Sequence, residues 1–299
     1  MSDLIFQMAP LEGVMDECFV RGADALGLFD DWVTPFFRFS EGMPRAKHLA
    51  GFAAPFMAGG KPITVQLMGT DPALLAAGAA QFAKLGAAGI DLNFGCPSRQ
   101  VTSGGAGGGA LRHPDRLRRM VGEVKAALPA TPLSAKIRTG FASDAELPAI
   151  IAALTADNAL DLITVHFRTV AEQYRQVPGR EERWRRAIEL VAGRAGVILN
   201  GDLATVAELR EIPARLGAAG AMAGRGVLRD PWLLRKAKGA AAPEIEAGRK
   251  RFFAAVVAAA GALPAGRAIE LSNFIWGSEN PYFAFLKQAK AITPEDLAP

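Results

Sequence analysis

Short apolar runs alternate with amphipathic stretches along most of the chain, so that a strand-like period of two repeatedly gives way to a helical period of about 3.6. Leu4 to Met8 predicts a first strand, and Asp16 to Leu26 a helix with Asp16 as its N-cap. Trp32 to Phe37 and Pro62 to Leu67 predict the next two strands. Asp71-Pro72 offers a cap followed by proline at the first helical position, opening a helix that runs through Leu85. Gly89 to Asn93, Leu133 to Ile137, Asp161 to Val165, Gly196 to Leu199 and Ala219 to Ala223 bring the strands to eight. Between them, Pro114 to Leu128, Asp144 to Ala156, Glu181 to Val191 and Thr205 to Glu211 read as helices, and Asp230-Pro231 opens a short one.

Eight strands, most followed by a helix, within about 240 residues predict an α/β chain folded as a (β/α)8 TIM barrel. A doubly wound sheet would usually place Gly-x-Gly-x-x-Gly after its first strand, where this chain has Ala9-Pro10-Leu11-Glu12-Gly13. Near residue 240 the strands stop. Ala240 to Pro243 reads as a linker, and Glu244 to Leu263, Arg267 to Phe274 and Tyr282 to Ala291 read as helices. The expected organisation is a catalytic barrel over residues 1–240 and a small all-helical appendage over 241–299.

In such barrels the chemistry sits at the C-terminal ends of the strands. Taken in order, that edge carries Pro10 and Glu12, Arg38, Gln66, Asn93, Lys136 with Arg138, His166, Asn200, and Gly224 with Arg225. Gln66 and Lys136 interrupt otherwise apolar strands, where an unpartnered amide or ammonium is costly. Asn200-Gly201-Asp202 follows the seventh strand and Gly224-Arg225-Gly226 the eighth. Loops at these two positions are the habitual phosphate site of barrels, because glycine lets backbone N–H groups approach the anion. A phosphate site, a buried amide, a buried lysine and a reachable histidine together suit flavin mononucleotide (FMN). The amide would meet the pyrimidine edge of the ring and the cation its N1 and O2 side. Cys96 stands just past the end of the fourth strand, on a turn bounded by Gly95 and Pro97, ahead of the glycine-rich Gly104 to Gly109. On position alone two readings stand level: a thiol held out toward a ligand, or a small buried apolar residue.

Half of the 299 residues are hydrophobic, which is ample for a large core, and the net charge of +4 permits an anionic partner without requiring one. Two cysteines, Cys18 and Cys96, make no disulfide framework, and three histidines without Cys-x-x-Cys give no metal-binding pattern. No basic-then-apolar leader opens the sequence and no uncharged apolar run reaches about 18 residues. The expectation is a cytoplasmic protein, away from membranes, acting as a monomer.

The stretch Asn93-Phe94-Gly95-Cys96-Pro97-Ser98, directly behind a buried strand, resembles the signature of the tRNA-dihydrouridine synthases, flavoenzymes that reduce a uracil ring in tRNA. The resemblance runs through the whole barrel, from Ala9-Pro10-Leu11-Glu12-Gly13-Val14 to Gly224-Arg225-Gly226, and includes Lys136-Ile137-Arg138 and Val165-His166-Phe167-Arg168-Thr169. It implies that Cys96 is the general acid that protonates uracil C5 and that Asn93 helps hold the base. It also implies that Pro10, Leu11, Glu12, Gln66, Lys136, His166, Asn200, Gly201, Asp202, Gly224 and Arg225 contact FMN, with NADPH or NADH as electron donor. Glu12-Gly13-Val14, Gly107 to Ala110, and Thr34-Pro35-Phe36-Phe37-Arg38 are most similar to the branch that modifies position 16 in the D-loop. There Arg38 and Tyr174 fall at RNA-contacting positions, and Arg138 is a further cation near the mouth. The appendage departs from the family pattern, offering Arg267 but no second cation beside it. Two other functions compete: a flavin barrel reducing a free pyrimidine, which would not retain tRNA, and a non-catalytic RNA-folding factor, which would be colourless.

Overall fold

The computed structural model describes residues 4–297. In chain order the elements are β1 (Ile5–Met8), α1 (Glu17–Ala25), β2 (Trp32–Val33), β3 (Phe37–Arg38), α2 (Ala46–Met57), β4 (Ile63–Met68), α3 (Pro72–Lys84), β5 (Gly89–Phe94), α4 (Arg99–Thr102), α5 (Pro114–Ala127), β6 (Leu133–Arg138) and α6 (Leu147–Thr155). There follow β7 (Leu162–His166), α7 (Arg180–Val191), β8 (Gly196–Asn200), α8 (Val206–Leu216), β9 (Gly220–Ala223), α9 (Arg225–Arg229), α10 (Leu233–Ala237), α11 (Ile245–Ala260), β10 (Leu263–Pro264), α12 (Ala265–Trp276), α13 (Phe283–Leu286) and β11 (Ala291–Ile292).

The strands pair in parallel in the order β1-β9-β8-β7-β6-β5-β4-β2, with β3 also on β4. This is a nearly closed eight-stranded barrel wrapped by helices. Caps fix where the helices begin. Asp16 accepts the Phe19 N–H at 2.9 Å, Asp71 accepts those of Ala73 and Leu74, and Thr205 with Glu208 forms a capping box ahead of α8. The main core fills the layer between strands and helices. A smaller apolar cluster of Ala9, Val33, Ile198 and Met222 occupies part of the lumen.

The expected second strand, Trp32 to Phe37, is instead two short strands on either side of Pro35. Proline has no N–H to give a ladder, and the Thr34 N–H makes the last bond before it, to the Thr64 carbonyl at 3.0 Å. Helix α2 was not foreseen: Gly51 and Pro55 lie within it and Arg45 provides no side-chain cap. The expected helix from Tyr282 to Ala291 shrinks to α13, because β11 pairs antiparallel with β10. Helix α11 packs on α1 very closely. A Cβ on Gly22 would lie 2.8 Å from the Val256 backbone nitrogen, and Phe19 meets Phe252 edge to face at 5.2 Å. Such an aromatic pair contributes about 0.5–1.5 kcal/mol beyond its buried area. Among the described residues no helix is long and apolar enough to cross a membrane.

Candidate active site

Strand β5 ends in a turn set by one side chain. Asn93 Oδ1 accepts the backbone N–H groups of Gly95 at 3.1 Å and Cys96 at 3.0 Å, which bends the chain sharply at the barrel mouth. The Gly108 N–H donates to the Cys96 carbonyl at 3.0 Å. The glycine tract is needed for this approach: a Cβ on Gly107 would lie 3.0 Å from Cys96 Cβ, and one on Gly108 2.9 Å from the Cys96 oxygen. Cys96 is half-buried, touching the small apolar cluster of Met68, Val101 and Ala106.

Behind Asn93 the register places Gln66 beside Asp91, Asp91 beside Ser134, and Asn93 beside Lys136. Asn93 Nδ2 donates to Gln66 Oε1 at 2.8 Å, and Gln66 Nε2 donates to Asp91 Oδ2 at 2.7 Å. Ser134 Oγ donates to Asp91 Oδ1 at 2.5 Å. Burial raises the Asp91 carboxyl above its usual range, opposed by the hydrogen bonds from Ser134 and Gln66 and by the Lys136 charge. Desolvation, then the neighbouring Arg138 charge, lowers Lys136 to about 8. No hydrogen-bonding or ion-pair partner for its ammonium occurs among the described residues.

His166 is buried and stacks on Phe167. Its Nδ1 accepts the Arg168 N–H at 3.2 Å, which leaves the ring proton on Nε2. Burial first, then the charges of Arg138, Lys136, Arg168 and Arg225, holds His166 well below its ordinary range, so the ring is neutral. Asn200 Nδ2 donates to the Met222 carbonyl at 2.8 Å and ties β8 to β9. Only glycine fits at 201: φ is +113°, and a Cβ there would sit 2.6 Å from Phe167 Cδ1 and 3.3 Å from His166 Nε2. Asp202 bridges two guanidinium groups, Arg168 and, at 2.6 Å, Arg225. Burial works against its ionisation, but these two partners hold its carboxyl below the usual range. Arg168 is 2% exposed, and its Nη1 is buried without a partner among the described residues. Gly224 meets Ala9 and Leu11, so the loop carrying Pro10, Leu11 and Glu12 abuts the one carrying Gly224 and Arg225. Glu12 is exposed at that rim, and partial burial raises its carboxyl.

Two expected surface cations are committed elsewhere. Arg138 is 2% exposed. Its Nε donates to the Gly95 carbonyl at 2.9 Å, and its Nη1 donates to the Thr169 carbonyl at 2.9 Å and the Gln173 carbonyl at 2.7 Å. It pins the Cys96 loop to the β7 loop, so it is not a free contact at the mouth. Arg267 pairs with Asp16 at 2.5 Å and also donates to the Val14 carbonyl, which joins α12 to the first loop. Arg38, at the end of β3, remains exposed. Tyr174 is 59% exposed, with the guanidinium carbons of Arg138 and Arg225 at 5.3 and 5.6 Å from its ring centre. Sequence reasoning passed over Asp91, Ser134 and Arg168. The one available signal was a carboxylate at an inward position two residues before Asn93.

Comparison with known proteins agrees with this arrangement. A protein of Cupriavidus necator named tRNA-dihydrouridine(16) synthase is 37% identical over 238 residues, 78% of this chain and 73% of its own length. A protein of the same name from Pseudomonas syringae pv. tomato is 35% identical over 236 residues, 77% of this chain and 73% of its own. Solved structures share the fold at low identity. Morphinone reductase in complex with tetrahydroNAD matches with a TM-score of 0.53 and 13% identity over 81% of this chain and 88% of that one. A 2-naphthoyl-CoA reductase complex matches with a TM-score of 0.58 and 15% identity over 79% of this chain and 50% of that one. The family model "Dihydrouridine synthase (Dus)" matches residues 7–261, and the chain belongs to the dihydrouridine synthase family.

Proposed function

We propose that the protein reduces a uridine in the tRNA D-loop, at position 16, to 5,6-dihydrouridine, with FMN as cofactor and NADPH as electron source. The observation that carries this is the Cys96 thiol at the tip of β5, on a loop fixed by Asn93 and backed by Gly107 and Gly108.

The donor set fits a flavin nucleotide. Lys136 is a desolvated ammonium without a protein partner, suited to an electron-rich ring edge. Gln66 keeps one amide hydrogen beyond its bond to Asp91. Arg168 Nη1 is an orphaned buried donor beside Asp202, and Gly201 forms a turn that a Cβ would fill. Gln66 and Lys136 would hold the ring, with His166 beside them. The 200–202 and 224–225 turns, together with Pro10 to Glu12, would hold the ribityl phosphate. Bound there, FMN supplies to uracil C6 the hydride that it draws from NADPH. Cys96 gives its thiol proton to C5, and the S–H electron pair stays on sulfur. Asn93 keeps the loop still while this happens. The base must leave the RNA stack to reach the pocket. Arg38, Tyr174 and Arg225 at the rim, and the helices of residues 241–299, would receive the tRNA.

Mass mapping of dihydrouridine in tRNA, from cells with and without the protein, tests the proposal. Loss of dihydrouridine at position 16 alone is the expected result. An unchanged map overturns it, and a purified protein that reduces free uracil but not tRNA removes its RNA half.

A further inference from the structure

The hydrogen bonds behind Cys96 run in one direction, and a single residue sets it. At one end stand the backbone N–H groups of Gly95 and Cys96, which only donate. At the other stands the Asp91 carboxylate, which only accepts. Between them lie two side-chain amides, each able to turn end over end. Asn93 must face its oxygen toward the loop, so its nitrogen faces Gln66. Gln66 must face its nitrogen toward Asp91, so its oxygen faces Asn93. Each requirement enforces the other only while an acceptor stands at position 91. Without it, Gln66 loses the reason to point its nitrogen inward. A reversed Gln66 would set one NH2 group against another at Asn93 and release the cap on Cys96.

We propose that Asp91 is a positioning residue, which through Gln66 and Asn93 fixes the loop that carries the Cys96 thiol and fixes the face that Gln66 turns to the flavin ring. The proposal rests on the function assigned above. Asp91 is 3% exposed, yet the barrel accommodates its charge. Ser134 Oγ donates to the oxygen not used by Gln66. The carboxylate also borders a cavity of about 60 Å³ shared with Gln7, Thr64, Ser134 and Thr164, which has room for more than one water molecule. Lys136 adds an attractive charge.

The test compares Asp91→Ala, Asp91→Asn and the double variant Asp91→Asn with Ser134→Ala. Asn at 91 can still accept from Gln66 while its own NH2 donates to the Ser134 hydroxyl, so the chain keeps its direction. Removing the hydroxyl lets that amide turn. The expected result is a fall in kcat for tRNA of about 10- to 100-fold in Asp91→Ala, in the range of a small displacement at a reacting group. The tRNA KM should hold, and the visible spectrum of bound flavin should shift. Asp91→Asn should recover to within about threefold, and the double variant should fall again. Alkylation of Cys96 by iodoacetamide, read by peptide mass spectrometry, should quicken in Asp91→Ala and in the double variant but not in Asp91→Asn. That readout needs no substrate, so it reports on Asp91 even if the wild-type protein were found to form no dihydrouridine. An unaltered alkylation rate and spectrum in Asp91→Ala overturn the proposal. So does an Asp91→Asn variant as impaired as Asp91→Ala, which would make the charge at 91, not its acceptor geometry, the working feature.

Discussion

From β4 round to β7 the inward positions carry Gln66, Asp91, Asn93, Lys136 and His166, whereas from β8 through β9 and β1 to β2 they carry Ile198, Met222, Ala9 and Val33. The apolar half asks nothing of its neighbours except close packing. Every member of the polar half must find a partner or lose several kcal/mol of hydration, of the order of 2–7 for a neutral group. Gln66, Asp91 and Asn93 satisfy one another, and His166 is satisfied at Nδ1 by backbone. Lys136 is the exception among these five: its desolvation is offset by no protein hydrogen bond. The contrast teaches where the chemistry lies. One wall is finished by the chain itself, and the other is finished only by a ligand.

The largest break in that contrast should come from the polar wall's outlet, Cys96. Cys96→Ala removes the proton donor and leaves the flavin site and RNA rim intact. Uridine reduction should fall by at least about 10²-fold, as for loss of a positioned general acid. Flavin reduction by NADPH and tRNA binding should both persist. Stopped-flow absorbance would then show reduced flavin that tRNA does not reoxidise. Dihydrouridine formation at the wild-type rate would make Cys96 a packing residue.

Next comes Lys136, the unfinished member. Removing a charged hydrogen-bond donor costs about 1.5–3 kcal/mol, so Lys136→Met should weaken FMN binding by about tenfold or more, read by fluorescence titration at pH 7. The pH dependence has a definite sign. Lys136 sits at about 8, below the 10.5 of an exposed lysine, so it sheds its proton first and FMN affinity should decline as pH rises through that region. Lys136→Met should remove this inflection. By the same linkage, the unfolded chain holds more protons between about 8 and 10.5, so the stability of the cofactor-free protein gains from this group as pH rises across that window.

These residues also show which parts of the molecule can be read from sequence. The eight strands were legible because burial imposes a period that survives in the residue order. Gln66 and Lys136 were legible because a polar group inside an apolar strand is costly and stands out. Asp91 was not, because inside β5 it merely alternates with Ile90 and Leu92, and its meaning depends on Gln66 and Ser134 from other strands. Arg138 and Arg267 were misread for the same reason. Charge is visible in a sequence, but its commitment to Gly95, Thr169 and Gln173, or to Asp16 and Val14, is a property of the fold. Helix α2 was hidden because Pro55 argues locally against a helix that packing sustains.

The apolar wall supplies the control. Ile198 is fully buried in the lumen cluster, and Ile198→Val should destabilise by about 0.5–1.5 kcal/mol. Denaturant unfolding should register that loss. FMN affinity measured on the folded protein should stay within about twofold, since a methyl group lost from a well-packed wall moves no polar partner. A tenfold loss of FMN affinity would mean that the two halves are not separable in function.

The smallest effect lies outside the lumen, where the β7 loop that bears Tyr174 is held. Glu172 receives the Arg183 guanidinium at 2.7 and 2.9 Å and caps the Thr169 N–H at 2.8 Å. Arg183 also reaches Asp144 at 3.1 Å. The Arg183 hydrogen bonds, working against burial and aided by the Thr169 backbone, pull the Glu172 carboxyl from 4.5 to about 2. For a carboxyl lowered on folding, the stabilisation is complete above about 4.5 and disappears as pH falls toward 2, because the unfolded chain takes up the proton first. Glu172→Gln should therefore cost about 1 kcal/mol or less at pH 7, given the solvent contact of this pair. The variant should also flatten the decline in melting temperature between about pH 5 and pH 3 relative to the wild-type protein. Equal acid sensitivity in the two proteins would show that the loop is held by Arg138 alone, and that Tyr174 is positioned from the polar wall of the barrel instead of from α7.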